Sequence, residues 1–260
     1  MKTFTSISLL ALCALAAQAQ AQAPAPAQEE GGVSPYRPSV SSPAQLPLAG
    51  QLELELGVLA TKSGAARRDS LPYTLKLAFN EQWGVLLGGE AYVGARDADG
   101  QRARGVGDTT LVLKRAFLLD SATALGLELG VKAPTAKDSI GSGRSDYSLN
   151  GIFSRDMGKV HMDANFNLSR LGAYEEGSAR TQRGISASFA LPVTEQWGAT
   201  AELSGTRRRG ADDTAQLLLA ATYSPSKHTA LDFGLARGLT SASPDWSLFG
   251  GVVVALGRLW

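Results

Sequence analysis

Between Lys159 and Leu168, the apolar residues Val160, Met162, Ala164, Phe166 and Leu168 alternate with His161, Asp163, Asn165 and Asn167. A period of two with one greasy and one polar face is the signature of a β-strand. The same alternation predicts strands near 50–60, 70–79, 84–96, 107–117, 122–133, 145–154, 159–170, 183–191, 197–206, 214–223, 229–239 and 246–260. The predicted connections alternate in length. Short ones fall at Asn80–Trp83, Leu118–Ser121, Arg155–Gly158, Pro192–Gln196 and Ser224–His228. Between them lie longer, charged, Gly-rich ones at 61–69, 97–106, 134–144, 171–182, 207–213 and 240–245.

A soluble sandwich also alternates, so the strands alone leave the environment open. The aromatics decide it. Phe79, Trp83, Phe117, Phe153, Trp197, Tyr223 and Trp260 fall on the apolar face, at strand ends that flank short turns or the C-terminus. In an up-and-down arrangement those ends share one rim, as an interfacial girdle requires. The expected fold is all-β: a transmembrane up-and-down antiparallel β-barrel of about twelve strands, with short periplasmic turns and longer external loops. An even number puts both termini on the periplasmic side. Closure is needed because unpaired backbone groups in hydrocarbon cost several kcal/mol each. In the last strand Val252, Val254, Leu256 and Trp260 share a face and end on an aromatic, as an assembly signal would, although Arg258 interrupts it.

The chain ends modify this picture. Lys2, the apolar Ile7–Ala17 and the small-x-small sites Ala19-Gln20-Ala21 or Ala21-Gln22-Ala23 make residues 1–23 an expected cleaved signal peptide. That stretch is too short for a spanning helix. Its Cys13 follows a bulky Leu12, which argues against lipidation. Cys13 is the sole cysteine, so the expected mature chain has neither a disulfide nor a thiolate site. Residues 24–48 form a Pro/Ser/Ala-rich periplasmic lead-in, expected to be disordered or extended, and 49–260 form the barrel domain. With a net charge of +1 and 19% charged residues, nothing points to nucleic acid. The expected location is a Gram-negative outer membrane.

If the greasy face meets lipid, the other face turns inward. The candidate lumen residues are Glu53, Glu55, Lys76, Glu90, Tyr92, Asp108, Lys114, Glu128, Lys132, His161, Asp163, Asn165, Asn167, Glu202, Gln216 and Asp232, with Arg96 beside them. Both signs of charge occur, and a barrel of this size is narrow inside, so opposite charges should pair across it. One reading is a sealed, charge-paired structural interior. The other is a narrow solute path gated by loops or by the lead-in folded into the lumen as a plug.

Other candidates are weaker. His161, with Asp163 and Ser169, superficially suggests a hydrolase, but parity points it into the lumen, away from lipid substrate. His228 stands in a short turn without metal ligands near it in sequence. No enzyme activity, cofactor or metal site is expected. Arg207-Arg208-Arg209 in a long loop could meet lipopolysaccharide phosphates, with pairing to Asp212 and Asp213 the blander reading. Gly141-Ser-Gly143 could form an anion nest, but such runs are more often flexible loop tips.

Three stretches carry a family resemblance. Gly105-Val-Gly-Asp-Thr-Thr-Leu-Val-Leu-Lys114 is similar to a GxGD-x-x-LGLK strand start. Gly130-Val-Lys-Ala-Pro-Thr135, followed by Ile140-Gly-Ser-Gly-Arg-Ser-Asp-Tyr147 and Ser154, resembles a VKLPTG…GSG-x-x-D-Y…S pattern. Asp232-x-Gly…Gly238-Leu…Pro244-Asp-Trp246…Gly250 matches the penultimate and final strands. Together with the lead-in SPYRPSVSSPAQLP, they resemble the outer-membrane family named for the phenol-degradation meta-pathway, over most of residues 34–260. The resemblance implies a porin-like transporter or channel for passive or facilitated passage of small hydrophobic or aromatic molecules. The alternative is a non-transporting structural or surface-interaction barrel. Expected partners are outer-membrane lipid and lipopolysaccharide, the barrel-assembly machinery during biogenesis, and a small hydrophobic solute.

Overall fold

The computed structural model describes residues 32–260. The expected signal peptide, with Cys13, and the first part of the lead-in lie outside the described residues. Alternation becomes strand throughout: β1 (Gln51–Ser63), β2 (Ala66–Ala78), β3 (Trp83–Arg96), β4 (Arg102–Gly105), β5 (Thr109–Leu118), β6 (Thr123–Ala133), β7 (Asp146–Met157), β8 (Val160–Arg170), β9 (Thr181–Pro192), β10 (Trp197–Arg208), β11 (Thr214–Ser226), β12 (Thr229–Gly238) and β13 (Trp246–Arg258).

All thirteen belong to one antiparallel sheet, and β1 pairs both β2 and β13. Pairing of β2 with β3 completes a closed ring of twelve, the thirteen strands less the short β4. The pairs at the seam, such as Leu54↔Val254 and Val58↔Gly250, leave no open edge.

Burial runs opposite to that of a water-soluble protein. Along β6, Leu125, Leu127, Leu129 and Val131 face outward, with Leu129 52% exposed, whereas Glu128 between them is buried. Val58, Leu111, Phe166, Ile185, Leu203, Phe233 and Leu248 repeat this outward exposure around the barrel. So large a continuous apolar exterior calls for a non-aqueous surrounding.

Turns separate into two ends. Short ones join β2 to β3, β5 to β6, β7 to β8, β9 to β10 and β11 to β12 at the end that also holds both barrel termini. The opposite end carries the long connections, with two differences from expectation. Residues 61–69 are no loop: β1 and β2 stay paired out to Ser63↔Ala66 and turn at Gly64, whose φ of 58° suits glycine. Beyond the apolar belt both faces of a hairpin meet water, so Lys62, Arg67, Arg68 and Asp69 hid a strand behind a loop-like composition. Likewise, 97–106 contains β4, which folds back onto the end of β3 through Val93↔Gly105 and Arg96↔Arg102.

One irregularity changes which residues face inward. Ser70 pairs with Val93 and Pro72 with Glu90, so Leu71 opposes both Ala91 and Tyr92 in a β-bulge. The extra residue flips the parity of β3, so that Val93 turns inward and is fully buried while Tyr92 is 41% exposed. The expectation that Tyr92 lines the lumen is corrected accordingly, and Arg96 beyond it is exposed as well.

Candidate functional site

The interior collects an imbalance of charge. Glu53, Glu55, Glu128, Asp163, Glu202 and Asp232 are buried carboxylates, against the buried lysines Lys76 and Lys114. Lys76 serves two of them, at 2.9 Å from Glu53 Oε2 and 2.6 Å from Glu55 Oε1. Lys114 lies 3.1 Å from Glu128 Oε1. The remaining carboxylates need donors, because a buried charge without partners is costly.

Asp163 takes them from Ser154 and His161, whereas for Glu202 and Asp232 they come from the lead-in. Expected either as a periplasmic segment or as a plug folded into the lumen, it has its described part inside the barrel. It enters at the short-turn end, where Val33 donates to the Lys227 carbonyl and Gln51 Nε2 donates to the Gly32 carbonyl. Ser34 N–H bonds both Glu53 oxygens, and Tyr36 N–H bonds Glu55 Oε1 at 2.7 Å. Across the lumen, Val40 and Ser41 N–H donate to the two oxygens of Glu202, at 3.2 and 2.8 Å. Ser42 exchanges two bonds with the Asn165 amide, and Ala44 N–H donates to Ser154 Oγ. Backbone N–H groups thus take the place of missing cations. Charge-assisted bonds of this kind are about twice as strong as neutral ones.

Side chains of the segment complete the seal. Arg37 reaches along the wall, over Gly57 of β1 and Gly251 of β13, to Asp232 of β12 with two bonds of 3.0 Å. The Tyr36 ring lies between two ammonium groups, 4.3 Å from Lys76 Nζ and 4.1 Å from Lys114 Nζ. Lys76 and Lys114 also donate to the carbonyls of Ser34 and Pro43. Near the short-turn end the segment is apolar: Ala44 packs with Ala124 and Ile152, and Leu46 with Ala78 and Ala116. These contacts hold a short, proline-rich chain that makes no sheet of its own in place.

The other candidate residues are spread more widely. Glu90 pairs with Arg68 at 2.5 Å, towards the long-loop end. Lys132 bridges Asp108 at 3.3 Å and Asp146 at 2.8 Å there, clasping the 134–145 loop. Asn167 and Gln216 line a cavity of about 460 Å³ on the far side of the segment. His161 holds Asp156 through Nδ1 at 2.5 Å and Asp163 through Nε2 at 3.1 Å. The hydroxyl that donates to Asp163 is Ser154, not Ser169, so both His161 nitrogens face carboxylates and neither faces a nucleophile. At the end of β10, which runs two residues into the expected 207–213 loop, Arg207 lies 3.5 Å from Asp213 in an exposed pair.

The seven aromatics sit at the short-turn end. Trp197 packs on Tyr223 at 4.8 Å between centroids and meets Phe233 edge-on at 6.3 Å. Arg115 projects outward between Trp83 and Phe117, 4.8 and 4.7 Å from the rings.

A second cavity, about 590 Å³, lies in the wall at the bulge, bordered by residues of both faces. The β1–β2 ladder is interrupted between Leu56↔Tyr73 and Leu59↔Ser70, where Pro72 has no N–H to offer. Leu59, Ser70 and Phe249 line it from the inner face, and Val58, Leu71, Tyr92 and Leu248 from the outer face.

Sequence reasoning missed Tyr36, Arg37, Ser41 and Ser42 as individual contributors, together with Asn150 and Ser154. The surplus of inward carboxylates was the signal available for the segment: acids outnumbering bases in a narrow lumen require donors from elsewhere.

No family model matches the chain, and no curated protein matches it. Solved structures do. The chain is similar to the COG4313 outer membrane channel from Pseudomonas putida F1, with a TM-score of 0.67 at 14% identity, covering 86% of this chain and 100% of that one. It is similar also to the KdgM porin, with a TM-score of 0.56 at 8% identity over 79% of this chain and 99% of that one. The CymD monoaromatic hydrocarbon channel gives a TM-score of 0.51 at 9% identity, over 82% and 90% of the two chains. The chain therefore has the fold of outer-membrane β-barrels.

Proposed function

We propose that the chain is an outer-membrane channel for small molecules whose lumen is closed at rest by residues 33–48. The observation that carries this reading is the bonding of that segment to Glu53, Glu55, Glu202, Asn165 and Asp232, on both sides of the lumen. A segment held by polar contacts, with a polar cavity beyond it, suits a removable plug better than a fixed core. The solved structures of similar fold include channels and porins, which supports the same reading. On it, the aromatic rim marks the periplasmic interface, and Arg115 between Trp83 and Phe117 is an anchor for lipid headgroups. Lipopolysaccharide would meet the loops at the opposite end.

The finer reading, passage of hydrophobic or aromatic molecules, draws on the resemblance to the phenol-degradation meta-pathway family and on the wall cavity. An apolar solute leaving the lumen between β1 and β2 would pass Phe249, Leu59 and Tyr92 without crossing the ion pairs. Uptake of a radiolabelled neutral monoaromatic hydrocarbon by cells producing the protein tests it. Substituting Leu59→Trp to fill the opening should slow uptake severalfold; unchanged uptake would remove the wall route. The competing reading is a sealed structural barrel, favoured by the paired Lys76, Lys114 and their carboxylates. It predicts no solute flux at all.

A further inference from the structure

Four cations that stand far apart in sequence meet in one register row at the long-loop end. Lys62 of β1 opposes Arg67 of β2, Arg67 opposes Arg96 of β3, and Arg96 opposes Arg102 of β4. Directly opposed residues share a face of the sheet. Here it is the outer face, because Ser70 and Val93, each three residues away along its strand, pair with each other and are buried inward. All four basic side chains are exposed. With neighbouring strands about 4.8 Å apart, the row spans about 14 Å. Through Trp246, which opposes both Lys62 and Arg237, it continues onto β13 and β12. The Arg237 guanidinium lies 4.8 Å from the Trp246 ring.

Like charges placed directly opposite one another destabilise a sheet, and the chain supplies little to offset them. Asp69, on the same face, is bonded to Arg67 Nε through both oxygens, at 3.0 and 2.9 Å. Among the described residues, no carboxylate lies within ion-pair distance of Lys62, Arg96 or Arg102. Asp97 and Asp245 in the adjoining turns accept from the backbone N–H of Gln101 and of Gly64. The exposed Arg207 on β10, by contrast, has Asp213 as its own counter-charge. Directly below the row the same outer face becomes apolar. Val58, Leu71, Tyr92 and Leu248 stand there, between 41 and 58% exposed. The uncompensated cations therefore mark the upper edge of the apolar belt, at the level of lipid headgroups.

We infer that this row is a docking surface for a phosphorylated glycolipid of the outer leaflet. Its headgroup phosphates bridge neighbouring guanidinium groups, and its acyl chains lie on Val58, Leu71 and Leu248. Guanidinium binds phosphate through paired, charge-assisted hydrogen bonds, and several cations side by side suit a headgroup with more than one phosphate. A soluble polyanion would meet the cations and leave the apolar face below them unused. A zwitterionic phospholipid would bring a cation of its own against the row. An amphiphile with a polyanionic head matches both halves of the surface. Its placement in the outer leaflet rests on the reading that the long-loop end faces outward; the chemistry of the row does not.

The test is native mass spectrometry of the refolded full chain in a non-ionic detergent. The probes are bisphosphorylated lipid A, its dephosphorylated form, phosphatidylcholine and inorganic pyrophosphate. The double variant Arg96→Gln/Arg102→Gln leaves no carboxylate unpaired. It is compared with Arg155→Gln/Lys159→Gln, which removes the same charge at the short-turn end, and heat-modifiable mobility verifies the folding of both. Lipid A binding that falls about tenfold or more in the first variant alone, and that is lost with the phosphates, supports the surface. Equal loss in both variants, equal binding of all three lipids, no lipid A binding, or pyrophosphate bound as tightly as lipid A overturns it. Orientation is read separately, by labelling Gln101→Cys in intact and in lysed cells with a membrane-impermeant maleimide. Labelling in intact cells supports the outer-leaflet placement; labelling only after lysis overturns that placement, whatever the lipid binding shows.

Discussion

Arg37 reaches over β1 and β13 to hold Asp232 through two bonds of 3.0 Å, one from Nε and one from Nη2. The pair joins the N-terminal segment to β12, and the two side chains are 17% and 4% exposed. Removing one partner of such a desolvated pair costs about 2–5 kcal/mol, largely because the other charge remains buried. Arg37→Ala and Asp232→Ala should each loosen the segment and raise the open fraction of single channels. Unaltered open probability in both variants would show that the pair does not hold the segment.

A path for that guanidinium exists because two strand residues, Gly57 of β1 and Gly251 of β13, lack side chains. A Cβ on Gly57 would lie 2.5 Å from Arg37 Nη1, and its other near neighbours are atoms of the same guanidinium. Gly57→Val should therefore reproduce the Arg37→Ala phenotype while the barrel still folds. Combined with Arg37→Ala it should add nothing, since both changes act on one contact. Additive increases in current would place the effect of Gly57 elsewhere.

Tyr36 separates a ring effect from a hydroxyl effect. Its hydroxyl donates to the Gln45 carbonyl at 2.8 Å, while its ring lies between Lys76 and Lys114. Tyr36→Phe should lose one hydrogen bond, about 0.5–1.5 kcal/mol. Tyr36→Leu should lose about 2 kcal/mol or more for desolvated cation–π contact in addition. Maleimide labelling of a cysteine introduced at Ser39 measures segment exposure, and the expected order is wild type below Phe below Leu. Equal labelling in Phe and Leu variants would argue against the ring as the anchor.

Asp108 gives the external loop a pH response. Burial raises its pKa, but the Ala136 N–H at 3.0 Å and the Lys132 ammonium outweigh that, leaving it below the ordinary carboxylate value. A group depressed in the folded state stabilises fully above its unfolded pKa, and the contribution is lost as pH falls through the folded value. The protection of residues 134–145 against hydrogen exchange, taken relative to the intrinsic rate at each pH, should stay constant from neutral pH to the ordinary carboxylate range and fall only below it. Asp108→Asn should abolish that dependence; a transition near neutral pH would assign it to another group.

The barrel was legible because lipid on one side and polar lumen on the other impose strict alternation, as in β6. Legibility failed where that condition lapses. Past the apolar belt, Lys62 to Arg68 are solvated on both faces, so a continuous hairpin resembled a loop. At Tyr92 a bulge inserted a residue that no periodic reading anticipates. The segment 33–48 has no period, so its place inside the barrel stood only as one of two readings, although the unpaired Glu202 and Asp232 on the inward face required something to meet them. Asn150, whose amide joins Glu128 to Asn165, was missed because its polarity matched the ordinary inward pattern.

The most direct test is planar-bilayer conductance of the refolded full chain against a chain lacking residues 32–46, with folding of both verified by heat-modifiable mobility. A plugged channel predicts little current from the full chain and a sustained, larger conductance from the truncated one. Equal currents, or silence from both folded forms, would contradict a lumen closed by its own N-terminal segment.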